Sequence, residues 1–231
     1  MLRYLRAEHL LSEDSAFAAL LTWLALTPSA QTVQVLQIIP QAMMLQTSFH
    51  APINNLLEPL GACVTDLDIP VLLHDIDPAS PPGLSFNNQL KTLVLRHTFR
   101  EEWEIAWARI AMTLSCIASL SLRSIELVFA IFRATGPAGG GTMDLADSNV
   151  NWEPINDVIS TKHFGALEKA SVTLDWHVMD TIPPGDVERF RDMIEEGLKQ
   201  LDWHRRGLLT ITHHNHTWSP PSEPEPGRVQ Q

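Results

Sequence analysis

Three things are scarce in this 231-residue sequence. Cysteine occurs only twice, at Cys63 and Cys116, so no disulfide framework holds the chain together. Basic residues are few: 16 Lys and Arg stand against 27 Asp and Glu, a formal charge of −11, and no basic run exceeds Arg205-Arg206. Nucleic acids and anionic membranes are bound largely through basic side chains, so neither is an expected partner. Long apolar runs are missing too. The opening "MLRYLRAEHLL" lacks the apolar stretch of a secretory signal, and no run of about 18 apolar residues could span a bilayer. The expectation is a soluble intracellular protein, cytoplasmic or nuclear, in which the sequon Asn215-His216-Thr217 stays unmodified.

Catalytic signatures are also lacking. Neither G-x-S-x-G nor H-E-x-x-H occurs. The glycine run Gly136 to Thr142 has the outline of a phosphate-binding loop, but Thr142 stands where that loop needs Lys, and no strand leads directly into it. It reads as part of a flexible surface loop over about residues 134–150. No cofactor is expected, and no enzyme.

What is present is a repeat. The chain is 45% hydrophobic and 19% charged, the balance of a packed domain. The pattern apolar-x-x-apolar-x-apolar marks a short strand with alternate residues facing a core. It fits Leu2, Leu5 and Ala7; Val33, Leu36 and Ile38; Val64, Leu67 and Ile69; and Leu90, Leu93 and Leu95. Ile117, Leu120 and Leu122 and then Leu167, Ala170 and Val172 continue it, and Leu209 and Ile211 keep part of it. Successive spacings are 31, 31, 26, 27 and 50. Leucine-rich solenoids repeat every 20 to 29 residues or so, each unit holding a strand and a helix.

Helical stretches lie between the copies. Ser12 to Leu26 places Phe17, Leu20, Leu21 and Leu24 on one face, with Trp23 sharing it, and stops before Pro28. Thr98-Phe99-Arg100-Glu101 has the form of a capping box ahead of a helix carrying Trp103, Trp107, Ile110 and Leu114. Asp186 can cap another, with Val187, Phe190, Ile194, Leu198 and Leu201 inward. Ile125 to Phe132 reads as a helical run and Pro154 to Ser160 as a further helix. Residues 1–217 thus form one α/β domain, an irregular leucine-rich-repeat-like solenoid with a parallel sheet on one face and helices on the other. Residues 218–231 form a disordered tail. Cys63 and Cys116 precede equivalent apolar positions two units apart, roughly 10 Å, too far for a bridge, so both should be free thiols.

The copies of the "LKTLVLRHT" type, the Trp-bearing helix, "NWEPINDVISTKHFGALEKASVTLD" (151–175) and "RGLLTIT" (206–212) together resemble the leucine-rich-repeat-like C-terminal regions of F-box proteins from mushroom-forming fungi. The resemblance covers most of residues 1–212. It implies a substrate-recognition role in ubiquitin ligation. The family's regular relatives carry an Asn ladder after the strand, where this chain has His97 and Ser124. No F-box stands in the chain, so a Skp1-type adaptor is implied only if an upstream F-box exists. The uncovered first repeat suggests a fragment or a paralogue that lost the module.

In a solenoid the residues between the apolar positions form the concave, partner-binding face. Here these are Tyr4, Arg6, Val35 and Gln37 from the first two copies, then Asp66, Asp68, Thr92, Val94 and Arg96. Ser119, Ser121, Arg123, Ser171 and Thr173 complete the face. Arg96 and Arg123 are expected as neighbours that would hold an acidic protein segment between them. A protein-interaction module is the leading reading. The alternative is a metal-binding protein or enzyme centred on "THHNHTW" (212–218), where His214 and His216 would share a strand face and His213 could meet a carboxylate. A third is a degenerate fragment without a function of its own.

Overall fold

The computed structural model describes residues 2–8, 14–39, 50–71, 83–99, 103–132, 151–178 and 184–217. The expected loop 134–150 with its glycine run, the tail 218–231, and Arg100 and Glu101 of the capping box lie outside the described residues.

Seven strands form a single sheet in sequence order, every neighbouring pair parallel. They are β1 (Tyr4–Glu8), β2 (Val35–Ile39), β3 (Asp66–Pro70), β4 (Thr92–Phe99), β5 (Ser124–Phe132), β6 (Lys169–Val178) and β7 (Leu209–Thr217). Parallel neighbours need a return path between them, and the helices supply it: α1 (Asp14–Ala25), α2 (His50–Leu60), α3 (Trp103–Ser115), α4 (Glu153–Ile159), α5 (Pro184–Leu198) and α6 (Asp202–Arg205).

The register follows the apolar pattern. Leu5, Leu36, Leu67, Leu93, Ile125, Ala170 and Leu209 form one rung across the sheet, and Ala7, Ile38, Ile69, Leu95, Leu127, Val172 and Ile211 form the next. Both rungs face the helices, where all but Ala7 pack with Leu56, Ile110 and Leu198 in one continuous core, Leu5, Leu209 and Ile211 lying partly buried at its ends. Burying each such side chain stabilises the fold by about 1.5–3 kcal/mol.

A second regularity lies in the backbone. The carbonyl of the residue before each strand from β1 to β5 accepts two amides from the next unit: Arg3 from Gln34 and Val35, Gln34 from Thr65 and Asp66, and Thr65 from Lys91 and Thr92. Lys91 accepts in the same way from Arg123 and Ser124, and Arg123 from Glu168 and Lys169. Five successive junctions thus share one clasp despite returns of unequal length.

This register corrects the fifth copy. Leu93 pairs with Ile125, not Leu120, and the apolar triplet in step with its neighbours is Leu122, Ile125 and Leu127. Ile125 to Phe132, expected as helix, is β5. Residues 117–121 instead form an irregular lead-in, where Leu120 is 58% exposed and the Ser119 hydroxyl donates to the Leu90 carbonyl at 2.7 Å. Spacings of 27 and 50 become 32 and 45, counted from Leu93 to Ile125 to Ala170. His97 and Ser124 are therefore not equivalent, since His97 pairs with Phe129 and Ser124 with Thr92. Cys116 likewise has no equivalence to Cys63, though both thiols are free.

Aromatic packing fixes the longer returns. Trp107 lies 5.1 Å from Phe129 and 4.9 Å from Trp152, ring to ring. Trp152 in turn sits against α5 at Gly197, where a Cβ would fall 2.5 Å from the indole, so only glycine allows this approach. Trp107 is buried as expected of a core residue and Trp203 is buried as well, whereas Trp23, expected on the packed face, is 60% exposed and is not part of the core. The side chains of Phe17, Trp103, Val187 and Phe190 lie outside the described residues.

The corrected register predicts unequal costs for two adjacent leucines. Leu122→Ala should lower unfolding stability by about 3 kcal/mol, as expected for a fully buried site. Leu120→Ala should change it by less than about 0.5 kcal/mol. Urea titration of both variants checks the placement; equal losses would restore the earlier one.

Candidate functional site

The face of the sheet turned away from the helices carries the side chains that alternate with the apolar rungs. Tyr4, Val35, Asp66, Thr92, Ser124 and Lys169 make its first row. Arg6, Gln37, Asp68, Val94, Glu126, Ser171 and Thr210 make the second. Arg96, Val128, Thr173 and Thr212 follow in the third, and Ala130, Asp175 and His214 in the fourth. Eleven of the expected face residues thus stand on this face: Tyr4, Arg6, Val35, Gln37, Asp66, Asp68, Thr92, Val94, Arg96, Ser171 and Thr173.

Ser119, Ser121 and Arg123 do not. They precede β5, and Ser119 is buried in the lead-in. Their places belong to Ser124, Glu126 and Val128. Arg123 ion-pairs with Glu168 at 3.0 Å, both side chains well exposed. Arg96 pairs across the sheet with Val128, five residues beyond Arg123, a separation of roughly 16 Å along the strand. The expected pair of neighbouring arginines does not form.

Arg96 is instead held by Asp68 on the adjoining strand. Its Nε donates to Oδ1 at 2.7 Å and a terminal nitrogen to Oδ2 at 2.8 Å, a two-point grip on a carboxylate whose side chain is only 6% exposed. The hydrogen bond to Asp68 raises the Arg96 pKa above its usual range, with further support from Glu126 and Asp175. Around this centre Tyr4 donates to Gln37 Oε1 at 2.6 Å, Thr173 to Glu126 Oε1 at 3.0 Å, and His214 Nδ1 lies 3.0 Å from Asp175 Oδ1. From β3 to β6 the face bears Asp66, Asp68, Glu126 and Asp175 against Arg96 and Lys169. Its centre is mildly acidic, the reverse of the expected cationic contact.

Strand alternation divides the C-terminal histidines. His214 stands on the open face beside Asp175, while His213 points to the helix side. There Trp176 Nε1–H donates to His213 Nδ1 at 3.3 Å, which puts the ring proton on Nε2, facing Glu195 Oε1 at 2.8 Å. The Arg191 guanidinium lies 5.3 Å from the Trp176 ring centre and completes a network tying β6 and β7 to α5. Each histidine meets a carboxylate, but on opposite sides of the sheet. The side chain of His216 lies outside the described residues. Among the described residues no three His, Cys, Asp or Glu side chains gather to hold a metal ion. A hollow of about 680 Å³ lies elsewhere, between α4 and the α5–α6 corner, lined by Trp152, Asn156, Lys199 and Arg205 among others.

One titratable group was not singled out for its burial from the sequence. His97 projects from β4 to the helix side, 1% exposed, its ring edge-on to Phe129 at 5.9 Å. Burial, helped by the Arg109 charge, lowers its pKa to about 4.

No family model, no curated protein and no solved structure matches the chain. Among the described residues no helix is long and apolar enough to cross a membrane.

Two predictions follow from these environments. Because His97 titrates near 6.5 when unfolded and near 4 when folded, its burial costs nothing above pH 7. As pH falls from 6.5 through 4 the unfolded chain takes up the proton first, and stability drops by about 3 kcal/mol. Urea unfolding at pH 7 and pH 4.5 should show this loss in the wild type and a smaller one in His97→Leu. Arg96→Met leaves the Asp68 carboxylate buried without its cation and should cost about 2 kcal/mol at pH 7, recovered in part by adding Asp68→Asn. A double-mutant cycle measures the coupling.

Proposed function

We propose that the chain is a non-enzymatic protein-interaction module of the leucine-rich-repeat-like solenoid kind, acting inside the cell as a substrate-recognition region of the F-box type. The observation that carries this reading is the fivefold clasp at the unit junctions. The same backbone geometry recurs from Arg3 to Lys169, which is how a stack of homologous units is held together. The composition and the 31-residue spacing of the first three units support it, as does the likeness of the 151–175 and 206–212 segments to fungal F-box proteins. The partner would lie across the open face, over the Asp68–Arg96 pair and the Glu126 and Asp175 carboxylates. Docking through a Skp1-type adaptor belongs to this reading only with an F-box upstream.

The alternative reading, a metal or catalytic centre at the C-terminal histidines, has less behind it. His213 and His214 each have a carboxylate, yet they stand on opposite faces of the sheet and converge on no common point.

Photo-crosslinking separates the two surfaces. A benzophenone amino acid at Val94 or Thr212 on the open face should give discrete crosslinked protein species in cells, and Glu126→Lys should reduce their yield about tenfold. The same probe at Met112 or Ser115 on α3 should give none of these species. Crosslinks confined to α3 would defeat the reading.

A further inference from the structure

The first unit differs from the later ones in how much apolar surface it leaves uncovered. Val33, Val64, Leu90 and Leu122, each three residues ahead of its rung leucine or isoleucine, are at most 1% exposed, but Leu2 in the same place is 37% exposed. Leu36, Leu67, Leu93 and Ile125 are as deeply buried, whereas Leu5 on β1 is only partly so. A rung inside the sheet is flanked by rungs on both sides. β1 is flanked on one. The exposure continues on α1, where Leu20 and Trp23, one turn apart, are 44% and 60% exposed, and just beyond it at Leu26, which is 81% exposed. Tyr4 adds a ring 48% exposed, and the outer edge of β1 has no strand beside it among the described residues.

We propose that this end of the sheet docks against a second copy of the chain, β1 antiparallel to β1 about a twofold axis. Area favours it. The exposed parts of Leu2, Tyr4, Leu20, Trp23 and Leu26 come to roughly 600 Å², divided between the two sides of the β1 edge with Tyr4 on the open face and Leu20 and Trp23 on the helix side, as much as monomers leave uncovered in a single patch. Two such patches brought together bury about 1,200 Å², the lower bound of a stable interface. Symmetry favours it too. A twofold axis sets the same patch against itself, so apolar meets apolar, and an edge strand is its own complement when run antiparallel. Charge is permissive. The whole chain carries −11, but residues 2–8 hold Arg3 and Arg6 against one Glu, so the strand itself adds no acidic repulsion between copies. The opposite edge, β7, also leaves Leu209 and Ile211 only partly buried, but among the described residues it exposes no large apolar side chain to match Trp23 or Leu26.

Sedimentation velocity of the full chain at about 50 µM should show a species of twice the 25.8 kDa protomer mass, as a micromolar dissociation constant requires. Trp23→Glu combined with Leu26→Glu should keep the circular-dichroism spectrum and raise that constant at least about 100-fold, giving monomer. If the double variant loses its helical signal, Leu26→Glu alone, outside the helix, must still shift the equilibrium toward monomer. Glu126→Lys, on the open face, should leave the dimer intact, which keeps this result separable from the partner-binding reading. A wild-type monomer at this concentration, a double variant that stays dimeric, or an open-ended series of larger species overturns the proposal.

Discussion

No strand in this sheet can bury its apolar side chains by itself. A five-residue parallel strand presents two or three inward residues and needs a neighbouring rung on each side to cover them. The clasp at the unit junctions supplies the alignment. One carbonyl gripping two amides of the following unit fixes where each strand begins relative to the last, and with it which residues meet on every rung. Once that start is set, a slip of one residue would turn the leucines outward, so apolar alternation and backbone clasp enforce each other. The returns may then vary in length, as the steps from Leu67 to Leu93 and from Ile125 to Ala170 do, without disturbing the sheet.

The same alternation sorts the polar residues. On the helix side His213 is locked by Trp176 and Glu195, and the buried His97 ring meets Phe129 edge-on. On the open side polar groups bond across strands: Tyr4 to Gln37, Arg96 to Asp68, Thr173 to Glu126, His214 beside Asp175. These bridges order the face. Arg96 has the central part here. It offsets the buried Asp68 charge.

Much of this was legible in the sequence because leucine spacing encodes strand register directly. The triplets from Leu2 to Leu95 fall where the strands lie, and so do those at Leu167 and Leu209. The fifth failed for a physical reason. "IASLSLRSIELVF" holds two overlapping triplets, five residues apart, and pattern alone cannot choose between them; the clasp from Lys91 to Arg123 and Ser124 does. That slip then turned a β-branched strand, Ile125 to Phe132, into an expected helix and promoted Ser119, Ser121 and Arg123 to the face. Trp23 was misplaced for a different reason. Helical periodicity assigns faces but does not say whether a neighbour exists to cover them. The Asp68–Arg96 grip joins residues 28 apart in sequence and becomes visible only once the register is known.

The strands lengthen along the chain, from five residues in β1, β2 and β3 to eight, nine, ten and nine in β4 to β7. The molecule is therefore a wedge, thin at one margin and broad at the other. Under tension drawn from both termini such a wedge would not tear uniformly. It would open first where the ladders are short, from β1 to β3, and later in the longer ladders from β4 to β7 that carry Glu126 and Asp175.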